Sequence, residues 1–346
     1  MISWQFERCI FCISICNVCF RRGCVFLTLM LSLTHQFAIC KSPCRSRVTL
    51  TIASLTLCII FFTAMLFTSS TTRAQMPDDI VQAVAAKPVV NMYSTASTDS
   101  DVVSQTIYGT CVTIIKNNRL WSQIRTADGY VGWSLTTDFR LLKGSRYAPD
   151  SKAVRIAELS ANIYDAPDVT RHAPLLQLPW EARLEVATPS TADLRWVEVI
   201  LVDGRTAWVQ RGDTSDNFTP LGISDTLQLA RKFLGITYTW GGISSFGFDC
   251  SGFTQMLIRQ RGIEMPRDAN MQAIWSGVVS VERANAQPGD LLFFGTSIDK
   301  ITHTGMYLGN GEFIHDTTHS HPGVQISHLD DIPWAQLLVA IRRIKP

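Results

Sequence analysis

Short stretches of alternating apolar and polar residues, broken by turn residues at close intervals, run from about Pro88 to Leu142. This pattern predicts a small all-β unit. A second stretch, from about Ala153 to Asp213, repeats it. Asn91-Met92-Tyr93 is answered by Asn162-Ile163-Tyr164, and Trp121-Ser122-Gln123-Ile124 by Trp196-Val197-Glu198-Val199. Trp121, Asp128 and Trp133 each recur 75 residues later, as Trp196, Asp203 and Trp208, so the two stretches form an internal repeat. In each, a strand that starts at Trp runs into an Asp-Gly turn and a strand ending in Trp, which signals a β-hairpin. Most of the four tryptophans are expected to fill two small cores.

Beyond a polar linker at about 212–224 the apolar spacing becomes helical. Leu227, Ala230, Arg231 and Leu234 predict a helix over Asp225–Leu234 that Gly235 stops. A second helix starts at Asp249, a good N-cap, carries Phe253, Met256 and Leu257 on one face, and stops at Gly262. Pro266-Arg267-Asp268 begins a loop and short helix, and Pro288-Gly289-Asp290 is a turn. Strands are predicted at Leu291–Phe294, His303–Leu308, Glu312–His315 and near Leu338–Ile344. Helices first and an antiparallel sheet afterwards make an α+β domain.

The 346 residues suffice for two or three domains, and a formal charge of +2 shows no basic stripe, so a nucleic-acid partner has no support. Eight of the ten cysteines lie within the first 58 residues. Cys9, Cys12, Cys16 and Cys19 have metal-ligand spacing, but apolar residues lie between them and no zinc module is evident. Residues 1–44 are therefore an N-terminal extension, read as membrane-targeting sequence or as translation from a start site too far upstream. Arg45 and Arg47, the apolar run Val48 to Phe67 and a small-residue exit predict a signal peptide over 45–74, cleaved after Ala74. A retained anchor is the alternative, since a run of about 20 residues spans a bilayer. Either reading exports the rest of the chain, to the periplasm or beyond. Cys111 is then expected to be a buried lone thiol.

The other remaining cysteine carries the chemistry. Cys250 follows the glycine-studded approach Gly241-Gly242-Ile243-Ser244-Ser245-Phe246-Gly247-Phe248-Asp249 and opens the second helix. Unpaired N–H groups and the positive end of the helix dipole are expected to favour its thiolate, the reactive form. His303 and His315 lie on consecutive strands around Gly309-Asn310-Gly311. A strict two-residue turn would pair Met306 with His315 and put His315 on the wrong face. A three-residue connection with a bulge pairs Gly305 with His315 and brings the histidines together diagonally. Nucleophile, base and an orienter of the base would then be present. No metal or other cofactor is called for, because His315, His319 and His321 lack a carboxylate or strand spacing to fix them.

Tyr238-Thr239-Trp240-Gly241-Gly242, Phe248-Asp249-Cys250-Ser251-Gly252-Phe253, Pro266-Arg267-Asp268, Gln287-Pro288-Gly289-Asp290-Leu291 and His303-x-Gly-Met-Tyr-Leu-Gly-Asn-Gly-Glu-Phe-Ile-His315 resemble the NlpC family. These are papain-like cysteine peptidases of bacterial cell walls. The repeated stretches resemble bacterial SH3-like domains. The implied architecture is two small all-β SH3-like barrels, over 77–147 and 150–215, followed by an α+β papain-like peptidase domain over 222–346. The resemblance implies Cys250 as nucleophile, His303 as general base and acid, His315 as the group that fixes its tautomer, and Tyr238 as an oxyanion donor. It also implies Asp249 as receiver of the free amine of an L-alanine, and Tyr130, in Asp128-Gly129-Tyr130-Val131-Gly132-Trp133, as the residue that closes that end of the groove. Ser251 or Arg267 would meet the D-glutamate carboxylate, where Ala269 and Asn270 depart from the serine that relatives often carry after Pro-Arg-Asp.

The expected activity is cleavage of peptidoglycan stem peptides at the γ-D-glutamyl–diamino acid bond. An N-acetylmuramoyl-L-alanine amidase would use the same chemistry, and a non-catalytic wall-binding protein is the reading from another class.

Overall fold

The computed structural model describes residues 81–142, 144, 146–187 and 194–345. The N-terminal readings, including cleavage near Ala74, fall outside the described residues. Residues 76–346 form one compact unit.

The first seven strands, β1–β7, are Val81–Ala85, Val89–Tyr93, Val102–Ile107, Cys111–Asn117, Trp121–Arg125, Val131–Leu135 and Phe139–Leu141. They form one sheet in the order β3-β2-β6-β5-β4-β1-β7. The next seven, β8–β14, are Ala153–Ile156, Ser160–Tyr164, Leu176–Pro179, Arg183–Val186, Trp196–Ile200, Thr206–Gln210 and Thr214–Ser215. Their order is β10-β9-β13-β12-β11-β8-β14, the same arrangement with every label advanced by seven. The sequence repeat is thus a repeat of topology. Both Asp-Gly turns place glycine at positive φ, 84° at Gly129 and 86° at Gly204, a conformation that other residues adopt only with strain.

The tryptophans do not fill the cores as expected. Trp121, Trp133 and Trp208 are half-buried, and only Trp196 is buried. Trp121 packs edge-on against Tyr93 and Trp196 against Tyr164, with ring centroids 5.6 and 5.7 Å apart. The cores are aliphatic instead: Val90, Met92, Val112 and Ile124 in the first sheet, Ile156, Ile163, Leu184 and Val199 in the second. Alternation explains this, since each Trp lies on the face of its strand opposite the aliphatic core residues. Cys111 is also a correction: it is free but only partly buried.

The rest of the chain begins with helix α1 (Ile223–Lys232), two short strands β15 (Ile243–Ser244) and β16 (Gly247–Phe248), and helix α2 (Cys250–Arg259). Helix α3 (Ala269–Ile274) and strands β17 (Val278–Ser280), β18 (Leu291–Gly295), β19 (Ile301–Gly309), β20 (Glu312–Thr317) and β21 (Gly323–His328) follow. Helix α4 (Trp334–Leu337) and β22 (Leu338–Ile344) complete it. The sheet runs β17-β22-β18-β19-β20-β21. One face packs on α2: Phe253, Met256 and Leu257 join Phe293, Met306 and Ile314 in a single cluster. The opposite face buries Leu292, Phe294, Phe313 and Trp334. Strands β17 and β21 were not anticipated, the latter because a local excess of histidines masks the alternation of Val324 and Ile326.

Both all-β units are docked on this domain. Trp180, between β10 and β11, enters the α2 cluster edge-on to Phe233, 5.7 Å between centroids. Glu181 takes both nitrogens of a fork from Arg259, at 3.2 and 2.6 Å. From the first unit, Asp128 accepts from Gln255 of α2 at 2.8 Å and Gln105 accepts from the Ile243 N–H at 3.3 Å. These contacts matter because they carry residues of the first unit to the edge of the Cys250 site.

Candidate active site

Cys250 sits at the first position of α2, and its cap is made locally. The Asp249 side chain accepts from the Gly252 N–H at 2.7 Å, which satisfies a donor the helix cannot. Glycine at 242 and 252 lets the two backbones meet: a Cβ on Gly252 would lie 2.1 Å from the Gly242 carbonyl oxygen. The backbone N–H groups of Ser251 and Thr304 both bear on the Cys250 sulfur and favour its charged form. Thr304 follows His303, so the sulfur lies between the start of α2 and β19.

The two histidines meet. The Asn310-Gly311 turn has positive φ at both residues, 54° and 82°, and pairs Gly309 with Glu312. A bulge between Tyr307 and Gly309 then shifts the register so that Met306 pairs with Ile314. That register sets His315 across from Gly305, where an added Cβ would fall 3.0 Å from the His315 Cβ. The missing side chain lets His303 Nε2 reach His315 Nδ1 at 2.7 Å. His315 Nε2 in turn contacts Ser327 Oγ on β21 at 3.0 Å. Trp334 covers the pair, 5.0 Å from the His303 ring and 4.7 Å from that of His315. With Nε2 occupied by His315, Nδ1 is the His303 nitrogen left to act as a base.

Protonation follows from burial. Desolvation pushes the Cys250 thiol up to about 12, against the opposing pull of the Thr304 and Ser251 N–H groups and Arg267. Burial likewise lowers His303 to about 3 and holds His315 well below the usual imidazole value. The N–H groups of the helix-dipole expectation are present, and exclusion of water opposes them. Burial thus favours a neutral thiol and a neutral imidazole at rest.

Asp249 is more than a cap, though not a free ligand. Its Oδ1 accepts from Gly252, Ser251 Oγ at 3.2 Å and Arg267 Nη1 at 3.0 Å. Its Oδ2 accepts from the Gly241 N–H at 3.0 Å and Arg267 Nη2 at 2.6 Å. The carboxylate is saturated. Arg267, 2% exposed, also donates to Ser251 Oγ at 2.7 Å and to Ser104 Oγ of β3 at 3.2 Å. Asp249, Ser251 and Arg267 thus form one buried network that ties the nucleophile helix to the loop before α3 and to the first all-β unit. Ser104 was not anticipated, because nothing local in a strand serine announces a partner 163 residues away.

Tyr130 lies beside this network, its hydroxyl donating to the Asp268 carboxylate at 3.3 and 3.4 Å. Burial raises that phenol to about 12 and also raises Asp268 above the usual carboxylate range. Tyr238 is held by an isolated bridge to Phe248, and burial above all, with Cys250 and Asp249 adding to it, raises its phenol well above the usual value, so its hydroxyl stays a donor. Asp316 is a further surprise: it is fully buried, with no side-chain partner for either oxygen among the described residues and only the Thr317 and Phe248 N–H groups bearing on its carboxyl. Burial, reinforced by Asp249 and opposed by the Thr317 and Phe248 N–H groups, pushes it up to about 8, which favours its protonated form near neutral pH. His319 and His321 sit in the exposed β20–β21 connection. Among the described residues no group of three or more His, Cys, Asp or Glu is arranged to hold a metal ion.

A free thiol at a helix start, with an imidazole relay beside it and hydroxyl and N–H donors around it, defines the site of a thiol-dependent hydrolase. Residues 235–343 match the NlpC/P60 family and residues 92–139 match the bacterial dipeptidyl-peptidase Sh3 domain; the chain carries an NlpC/P60 domain and a bacterial SH3 domain. A γ-D-glutamyl-L-lysine dipeptidyl-peptidase of Bacillus cereus is 29% identical over 260 residues, covering 70% of this chain and 75% of that protein. A Bacillus subtilis protein of the same name is 40% identical over 121 residues, covering 34% of this chain and 40% of its own length. Among solved structures, that of an NlpC/P60 family protein from Bacillus cereus superposes with a TM-score of 0.65 at 23% identity, covering 77% of this chain and all of the other. That likeness shows a shared fold over about three quarters of the chain.

Proposed function

We propose that this protein is a cysteine endopeptidase that hydrolyses peptidoglycan stem peptides at the γ-D-glutamyl–diamino acid bond, with two SH3-like units ahead of a papain-like domain. The observation that carries the reading is the His303–His315 contact of 2.7 Å beside a sulfur met by two backbone N–H groups. It gives a nucleophile, a base with one nitrogen free, and an orienter, within a domain whose relatives are named as γ-D-glutamyl-L-lysine dipeptidyl-peptidases.

The chemistry follows from the geometry. His303 Nδ1 takes the Cys250 proton as the sulfur attacks the γ-glutamyl carbonyl carbon. The oxyanion is met by the Cys250 N–H and the Tyr238 hydroxyl, which act where charge develops. His303 returns the proton to the leaving amine, and water, deprotonated by His303, then hydrolyses the thioester.

The choice of bond rests on the first all-β unit. Tyr130 and Asp268 close one end of the site, which suits a short peptide with a free terminal ammonium. Asp268 receives that ammonium, Asp249 being saturated by the buried network that also takes up Arg267 and Ser251. Export fits such a substrate and is supported by the basic, apolar and small-residue succession ending at Ala74.

Mass spectrometry of defined muropeptides, with and without the sugar, tests this with wild type and Cys250→Ala. Release of L-Ala-D-Glu by wild type alone is expected. Sugar freed of its peptide would instead establish the amidase, and cleavage by both proteins would remove Cys250 from the nucleophile's role.

A further inference from the structure

We infer that Ser327 is a positioning residue for this site, the acceptor that holds the histidine relay in its one productive proton arrangement. The inference rests on the thiol-hydrolase reading above. Ser327 lies on β21 opposite Phe313, diagonal to His315 and on the same face of the sheet. It is half-buried, and its Oγ stands 3.0 Å from His315 Nε2.

The argument follows the protons outward from the sulfur. To accept the Cys250 proton, neutral His303 must present a lone pair at Nδ1, so its own proton sits on Nε2. The 2.7 Å contact then requires a lone pair on His315 Nδ1. His315, kept neutral by burial, must therefore carry its proton on Nε2, where Ser327 Oγ is its hydrogen-bond partner among the described residues. A hydroxyl can donate or accept, but only acceptance is compatible with a working base. The requirement tightens once His303 is an imidazolium, since both of its nitrogens then donate.

Without the hydroxyl, the Nε2–H tautomer of His315 leaves a buried donor unpaired, while the Nδ1–H tautomer can donate to His303 Nε2. The second arrangement relieves the unpaired donor and forces the His303 proton onto Nδ1, facing the thiol. Such a site binds substrate but cannot take the proton.

The test is Ser327→Ala beside Ser327→Thr, read in two ways. In the first, long-range nitrogen-15 correlation spectra of the imidazoles at neutral pH report tautomers without any substrate. Wild type and Ser327→Thr are expected in the Nε2–H form at both His303 and His315, and Ser327→Ala is expected to move toward Nδ1–H. In the second, hydrolysis by Ser327→Ala should show kcat lowered on the order of 10- to 100-fold with KM little changed, and Thr should restore it. An unaltered tautomer pattern in Ser327→Ala overturns the inference, whether activity survives or falls. A switched pattern in a protein that cleaves no muropeptide would leave the relay assignment standing and sink the substrate reading alone.

Discussion

Replacing Arg267 by methionine should cost more than any other single polar substitution around this site. The guanidinium is 2% exposed and Asp249 7% exposed, so solvent screens neither charge. Both Asp249 oxygens accept from it, at 3.0 and 2.6 Å, and it also serves Ser251 and Ser104. Methionine keeps an unbranched stem but strands a buried carboxylate, a change worth about 3–5 kcal/mol. At roughly 2–4 °C per kcal/mol for a unit of this size, the melting temperature should fall by about 6–20 °C. Asp249→Asn separates charge from shape, because an amide oxygen can still cap Gly252 without needing a cation. The double variant should therefore melt above Arg267→Met alone, the coupling expected of groups in direct contact. A loss under about 1 kcal/mol, which is what an exposed pair gives, would refute the reasoning, as would strict additivity of the two substitutions.

Two further outcomes follow from burial. Since His303 is lowered from 6.5 to about 3 and Cys250 raised to about 12, the base stays unprotonated well below pH 6.5. Activity should persist there, and the ultraviolet difference between wild type and Cys250→Ala should show no thiolate at neutral pH; a thiolate signal rising near pH 6 would contradict the neutral resting pair. Asp316 is raised from 3.8 to about 8, so the folded protein holds a proton the unfolded chain has lost. Stability present in acid is therefore given up as pH rises from about 4 toward 8, at up to about 1.4 kcal/mol per unit. Asp316→Asn should remove that decline, and thermal melts across pH that keep the wild-type slope would count against a buried, protonated Asp316.

How much of this could be read in the sequence differs from residue to residue. Cys250 at a capped helix start is a local signal, because N-cap chemistry, glycine and helical periodicity all act within one turn. The repeat is likewise local, since turns such as Asp128-Gly129 and Asp203-Gly204 fix hairpins by their own backbone needs. The meeting of His303 and His315 was legible only as a choice between two registers, and the bulge at Tyr307–Gly309 settled it. The tryptophan cores failed because residue type says that a side chain prefers burial, while the face it occupies depends on strand phase.

What the sequence alone determined, then, are the elements and the reactive groups they carry: strands, hairpins, a nucleophile, two imidazoles. What only the tertiary structure decided are the partners. Ser104 on Arg267, Tyr130 on Asp268 and Ser327 on His315 join positions distant along the chain, and no periodicity encodes such pairs. Protonation belongs with them. A helix start favours thiolate in any exposed peptide, yet burial of Cys250, 8% exposed between α2 and β19, opposes a charge there, and desolvation is a property of the whole fold.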